Sequence, residues 1–272
     1  IMLQLEEYFV NNLCYHSCAS IPYAGNVRVH KLITRYMSLY DYDYCLDIDV
    51  KKFYPNVDKQ ILKSMLRRKF KDKDLLWLLD SIIDSSPKDE NSIKDGYIRG
   101  IPIGSYLSQY LANFYLSYFD HWLKEEKKCK AVVRYMDNII ILSNSKSELH
   151  RLKSEIETYL WNNLHLKLKE NWQIYNINSR PIDFIGYRYG KDFVLLRKET
   201  TKRFIKLCNS IESKNHCTEK EYRALTAYFG ALKWCDSKHL WYKYYDKIKF
   251  ILKRENYNLK FISKDHISGL VR

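Results

Sequence analysis

The sequence predicts an α+β fold followed by a separate, basic, helical region. Three observations carry this expectation. Residues 43–49 alternate apolar and polar side chains with a period of two, as a half-buried strand does. Residues 131–142 hold two β-rich runs around a short polar break, as a hairpin does. After Lys191 the apolar residues return at helical spacing, and residues 191–272 hold 19 Lys+Arg against 9 Asp+Glu. That stretch therefore carries +10 of the +14 formal charge of the 272-residue chain.

Each element follows from its local pattern. In the first strand Tyr44, Leu46 and Ile48 face one side, while Cys45, Asp47 and Asp49 face the other. Phe53-Tyr54-Pro55-Asn56 then reads as a turn with a proline stop. Asp58 is the expected N-cap of a helix, because Ile61, Leu62, Met65 and Leu66 recur behind it at helical spacing. A second helix is expected through Leu75, Leu76, Leu79, Ile82 and Ile83, and residues 87–96 read as an exposed loop. Gly100-Ile101-Pro102-Ile103-Gly104 reads as a rigid loop opening one long helix. Its stripe runs through Leu107, Leu111, Phe114, Tyr115, Tyr118, Phe119 and Trp122, and such a stripe is core. In the hairpin, Asp137-Asn138 forms the break between residues 131–136 and 139–142. A helix through Leu149, Leu152, Ile156 and Leu160 and strand-like sequence over 166–189 follow. The basic region is expected to hold helices over 204–211, 220–235 and 240–252.

Composition narrows the function classes. With 46 Lys+Arg against 32 Asp+Glu and a pI near 9.3, the chain suits a polyanionic partner, a nucleic acid or an anionic membrane surface. The plainer alternative is a solvated, lysine-rich surface. An aromatic content of 15%, with 24 Tyr, argues against a disordered basic tail. The longest apolar runs, such as 75–79 and 139–142, are far shorter than the ~20 residues of a membrane span. No membrane partner is expected. Seven Cys without a CxxC pair argue against a disulfide framework and for a reducing cytoplasm. Cys14, His16 and Cys18 look like half of a zinc site, but no second half follows. The chain opens on Ile1-Met2, which reads as a trimmed or partial form.

Asp49 ends a strand and Asp137 sits at a hairpin tip. If their strands are neighbours in one sheet, the two carboxylates can hold hard divalent cations, which take oxygen ligands. Taken alone, an Asp in a hairpin is ordinary turn chemistry. The surrounding motifs change the reading. Asp49-Val50-Lys51-Lys52-Phe53-Tyr54, Ile103-Gly104-Ser105-Tyr106-Leu107-Ser108-Gln109 and Tyr135-Met136-Asp137-Asn138 occur in that order. Together they resemble the three core palm motifs of a reverse transcriptase. Ile182-Asp183-Phe184-Ile185-Gly186-Tyr187 is similar to the later palm motif that supports the primer. The Ser108-Gln109 ending and the stretch from Leu166 to Gln173 look most like bacterial prophage and diversity-generating retroelement enzymes, related to those of group II introns. The resemblance runs over about residues 15–252.

The resemblance implies a right-hand polymerase: partial fingers and palm with an antiparallel sheet over 1–190, then an α-helical thumb over 191–272. It implies RNA-directed DNA synthesis with an RNA template, a DNA or RNA primer and dNTPs, and admits an accessory protein subunit. Two Mg²⁺ ions, with Mn²⁺ as the alternative, would activate the primer 3′-hydroxyl and stabilise the leaving pyrophosphate. Asp49 and Asp137 match the catalytic metal ligands, with the Val50 carbonyl as a further ligand. Tyr54 matches the aromatic gate against a ribose 2′-hydroxyl, and otherwise reads as a core aromatic. Ile103, Gly104 and Ser105 match the nucleotide or template face, and Ser108 and Gln109 help place the templating base. Otherwise Gly104 is a turn residue and Ser108 a buried helix hydroxyl. Lys167 or Lys169 matches the proton donor to pyrophosphate; the sequence leaves the choice open, and leaves either as a solvated lysine.

Three departures from the family pattern stand out. Ile103 replaces the common Gln before the middle glycine, a change shared with the mutagenic retroelements. Asn138 stands where the last catalytic motif usually has a second Asp, so the catalytic set Asp49, Asp137 and Asn138 lacks one charge and cation binding weakens. The chain also starts after the family's basic N-terminal fingers segment, leaving Arg28, Lys31, Arg35, Lys51 and Lys52 as basic candidates. The second reading is therefore an impaired reverse-transcriptase fold acting as a nucleic-acid-binding or phage-defence component. In the basic region, residues 241–245 interleave aromatics with lysine, as a nucleotide-stacking or a buried helix face does.

Overall fold

The computed structural model describes residues 2–86, 93–94 and 96–257. Their contacts divide the chain into two compact units, Ile1–Asn176 and Ile177–Arg272. The first unit opens with helices α1 (Met2–Asn11) and α2 (Gly25–Leu39), two elements beyond those expected from the sequence pattern. Strand β1 (Tyr44–Asp49) follows, then α3 (Phe53–Asn56), a single helical turn where a plain turn was expected. Helix α4 (Lys59–Lys69) starts at Asp58, whose Oδ1 accepts from the amides of Gln60 (2.9 Å) and Ile61 (3.1 Å). Helix α5 (Lys73–Asp84) is capped in the same way by Asp72. Strand β2 (Ile93–Lys94), inside the expected loop, pairs with β3 (Tyr97–Ile98) just after it. The rest of that loop, 87–92 and residue 95, lies outside the described residues.

The expected long helix is broken. Helix α6 (Tyr106–Tyr115) stops at Leu116, α7 (Ser117–His121) resumes, and Trp122–Glu126 forms a π-helical turn. The Ser117 hydroxyl donates to the Phe114 carbonyl (2.7 Å), a local bond that competes with the helix ladder. Strands β4 (Ala131–Tyr135) and β5 (Asn138–Ser143) form the expected hairpin, followed by α8 (Lys146–Leu164) and β6 (Gln173–Asn176).

The first unit's main sheet runs β4-β5-β1-β6 and is antiparallel throughout. Leu46 pairs with Ile141 and Ile48 with Ile139, so period-two alternation puts these apolar residues on one face. That face belongs to a core that takes in Leu111, Phe114 and Phe119 of α6 and α7, and Ile156 and Leu160 of α8. Burial of a core side chain of this size contributes roughly 1.5–3 kcal/mol.

The second unit contains a three-stranded antiparallel sheet, β7 (Ile182–Phe184), β8 (Tyr187–Tyr189) and β9 (Val194–Leu196). Strand β9 lies where the sequence suggested the start of helical pattern. Helices α9 (Lys198–Lys214), α10 (Glu219–Leu232) and α11 (Lys238–Arg254) pack on one another around Phe204, Phe229, Trp241 and Tyr244. Trp241 and Tyr244 are buried, Tyr245 is half-buried and stacks on Trp241 (4.8 Å), and Lys243 is exposed, so Trp241 and Tyr244 join the core while the rest of 241–245 stays at its edge. No helix among the described residues is long and apolar enough to cross a membrane, and all seven cysteines are free.

Candidate functional site

The site grows from the end of β1 and the β4–β5 turn. β1 and β5 are neighbours, and Asp49 pairs in register with Asn138. The Val50 amide donates to the Asp137 carbonyl (3.1 Å), which fixes the backbone of Asp137 against β1. Tyr135 pairs with Asn138, so the two-residue turn is Met136-Asp137 and Asn138 already belongs to β5. The sequence had placed the break one residue later. Met136 takes a left-handed φ of +55°, a cost that a non-glycine residue bears only in a well-supported turn.

The two carboxylates differ in their surroundings. Burial, then the charge of Asp49, pushes the Asp137 carboxyl above the usual carboxylate range. Asp49 Oδ2 accepts from Lys169 Nζ at 2.7 Å. Asp49 Oδ1 is buried and accepts no hydrogen bond among the described residues.

Lys169 and Lys167 part company. The Lys169 amide donates to the Asp49 carbonyl (2.8 Å), the Lys51 amide donates to the Lys167 carbonyl (2.8 Å), and Val50 bridges Leu168. This extended segment alternates, putting Leu168 in the core and both lysines on the other face. The Lys167 ammonium then lies over the Trp161 ring, 4.5 Å from its centroid, while Lys169 reaches Asp49.

Tyr54 joins the same cluster. It is half-buried, and its hydroxyl faces Met136 Sδ at 3.8 Å. Burial and then Asp137 raise its hydroxyl pKa above the ordinary value. The 100–104 loop is tied to α3 and the residue after it: the Gly100 amide donates to the Val57 carbonyl (2.8 Å) and the Ile101 amide to the Tyr54 carbonyl (3.3 Å). Beyond it Ile103 is 77% exposed, and Gly104 has φ +95° with open space around it. Ser105 precedes α6 as its N-cap residue, Ser108 is buried, and Gln109 is exposed. The structure thus brings Asp49, Val50, Tyr54, Asp137, Asn138 and Lys169 together. Among the described residues no hydrogen bond or ion pair joins Ile103, Gly104, Ser105, Ser108 or Gln109 to that cluster.

One group of supporting residues was missed from sequence. Arg134, fully buried on β4, donates through Nε to Asp120 Oδ1 (2.8 Å) and through Nη2 to Ser17 Oγ (2.8 Å). Its Nη1 donates to Asn113 Oδ1 (3.0 Å) and to the Met136 carbonyl (3.0 Å), inside the turn that carries Asp137. His16 Nε2 lies 3.2 Å from Asp120 Oδ1. Burial alone would raise the Asp120 carboxyl, but Arg134 and then His16 hold it far below the usual range. The available signals were an Arg within a β-branched run and an Asp within an apolar helical stripe. Each needs a buried partner.

The sequence matches the family described as reverse transcriptase (RNA-dependent DNA polymerase) over residues 1–189, and the chain belongs to that family. Its α+β architecture with an antiparallel sheet is the right-hand polymerase fold. Among individual relatives, the COX1/OXI3 intron 2 protein of Saccharomyces cerevisiae is 20% identical over 243 residues, covering 68% of this chain and 28% of that protein. The yeast COX1/OXI3 intron 1 protein is 20% identical over 137 residues, 46% of this chain and 16% of that one. Telomerase from Candida albicans, solved in complex with a TWJ fragment of telomeric RNA, superposes with a TM-score of 0.59 at 13% identity, covering 93% of this chain and 48% of that one. Apo telomerase from Candida tropicalis gives 0.57 at 14% identity, over 93% and 50%. These structural likenesses concern the fold. The chain spans about half of each telomerase chain and a smaller share of the intron proteins.

Proposed function

We propose that this chain is an RNA-directed DNA polymerase, which extends a primer 3′-hydroxyl with dNTPs on an RNA template. The observation that carries the reading is the juxtaposition of Asp49 and Asp137 across β1 and the β4–β5 turn, with Asp49 Oδ1 buried and without a hydrogen-bond partner among the described residues. Two carboxylates, the Val50 carbonyl and the Asn138 amide form an all-oxygen donor set, which suits Mg²⁺ or Mn²⁺. Among the described residues no group of three or more His, Cys, Asp or Glu stands where it could hold a metal ion, so the site is charge-poor. When bound, the ions supply activation of the primer hydroxyl and charge stabilisation of the leaving pyrophosphate.

The chain's own residues take the remaining roles. Tyr54, held beside Met136, excludes the ribose 2′-hydroxyl. Ile103, Gly104 and Ser105 line the nucleotide or template face, with Ser108 and Gln109 placing the templating base. Lys169, rather than Lys167, is the proton donor to pyrophosphate, because it is the lysine that already reaches the carboxylates. The basic helices of the second unit act as a thumb that tracks phosphates. By its motifs the chain looks most like bacterial prophage and diversity-generating retroelement enzymes; its cysteine usage suits a reducing cytoplasm, and the reading admits an accessory subunit.

A second reading, an impaired polymerase kept for nucleic-acid binding or phage defence, is favoured by Asn138, which stands opposite Asp49 in place of a carboxylate. Primer extension on an RNA template, in Mg²⁺ and in Mn²⁺, decides between them. Extension by the natural chain, falling at least about 10³-fold in Asp49→Ala and Asp137→Ala with nucleic-acid affinity retained, supports the polymerase. Extension only after Asn138→Asp supports the second reading.

A further inference from the structure

We propose that Lys169 is a built-in counter-ion of this site: its ammonium holds Asp49 until a divalent cation displaces it, so that cation loading and release of Lys169 are one event. The proposal rests on Asp49 and Asp137 being the cation ligands. Three features point to it. The first is contact. Lys169 Nζ lies 2.7 Å from Asp49 Oδ2, on the same carboxylate whose other oxygen is buried and has no hydrogen-bond partner among the described residues. An ammonium and a divalent cation compete for these lone pairs, and the cation must overcome the ion pair it breaks.

The second feature is the tether. The backbone of Lys169 is bonded to the Asp49 carbonyl, and Leu168 beside it is buried in the core. The start of the segment is anchored too: His165 Nδ1 lies 2.8 Å from Asp58 Oδ2, and Arg99 Nη1 donates to the His165 carbonyl (3.0 Å). Lys169 therefore stays within reach of the site after it lets go. Its side chain is 42% exposed, so the ammonium has water to move into.

The third feature is charge. Asp49 and Asp137 carry two negative charges, Asn138 carries none, and Lys169 reduces the total to one. The neighbouring acid Glu170 is paired with Lys51 at 3.5 Å, which leaves Asp49 as the ion-pair partner of Lys169 among the described residues. Lys167 is the internal control. It lies on the same face of the same segment but rests on Trp161.

The test is Mn²⁺ binding to the full chain without nucleic acid, read from the EPR signal of free Mn²⁺. Lys169→Met and Lys169→Gln are each expected to tighten Mn²⁺ binding about three- to fivefold, as loss of a partly exposed ion pair allows. Lys169→Arg, which keeps the charge, stays near the natural chain, and Lys167→Met stays within about twofold. Asp49→Asn removes the site. If Asp49→Asn removes a site that Lys169→Met and Lys169→Gln leave unchanged or weaken, this proposal is overturned and the assignment of the ligands stands. If no variant shows a site that depends on Asp49, the ligand assignment fails and takes the proposal with it.

Discussion

Asp137 carries a charge that its surroundings oppose. With its carboxyl raised by burial and by Asp49, Asp137 holds its proton more tightly in the folded state than in the unfolded chain. A raised carboxyl contributes stability that is fully present below its ordinary value of 3.8 and is lost as pH rises through the folded value. At neutral pH the ionised group is therefore a net cost to the metal-free protein, offset only when a cation binds. Asp137→Asn is expected to raise the Tm of the metal-free chain at pH 7 while abolishing primer extension. The gain should vanish near pH 4. Thermal denaturation in chelator at both pH values checks this, and a Tm at pH 7 no higher than that of the natural chain contradicts it. Stability and activity oppose each other at this residue, as they commonly do where like charges are held together for function.

At the scale of elements, the β4–β5 hairpin depends on a buried ion cluster as well as on its ladder. Arg134 spends its donors on Asp120, Ser17, Asn113 and the Met136 carbonyl, and both charged partners are fully buried. Arg134→Ala leaves Asp120 charged and uncompensated and is expected to cost about 3–5 kcal/mol. Replacing both charges, as in Arg134→Met with Asp120→Leu, should recover much of that stability, because paired apolar groups avoid the desolvation penalty. The double variant still lacks the donor to Met136, so its extension rate should stay low. Urea unfolding beside primer extension separates the two effects. A double variant that is both stable and fully active would show that the turn needs no support from Arg134.

The whole molecule carries +14, and the described part of its basic region contains the helices α9, α10 and α11. Several of its lysines and arginines are already paired, such as Lys214 with Glu221 and Lys247 with Glu212. Lys202, Arg203 and Lys206 are exposed on one face of α9 and make no ion pair among the described residues. Each phosphate contact adds about 0.9 to the slope of log affinity against log salt on duplex. Replacing all three with Gln is expected to lower that slope by about 2–3, while Asp49→Ala leaves it unchanged. Filter binding across a salt series measures both. An unchanged slope in the triple variant would place the phosphate contacts elsewhere.

By itself the sequence determined what local pattern and motif order can encode. Alternation identified β1, the β-branched runs identified the hairpin, and Asp58 was legible as a cap because capping involves residues two and three positions away. The ordered motifs around Asp49, Tyr54, Gly104 and Asp137 pointed to the family that the chain proves to match. Tertiary structure alone decided the rest, because those contacts join residues far apart in the chain. The Lys169–Asp49 bond spans 120 residues, and period-two alternation puts Lys167 and Lys169 on the same face, so no local pattern distinguishes them. The Arg134 cluster reaches back 117 residues to Ser17, and the helical stripe through Tyr115 and Phe119 gave no sign of the break at Leu116. A side chain's type limits the partners it can accept, but only the folded chain decides which of them lies within three ångströms.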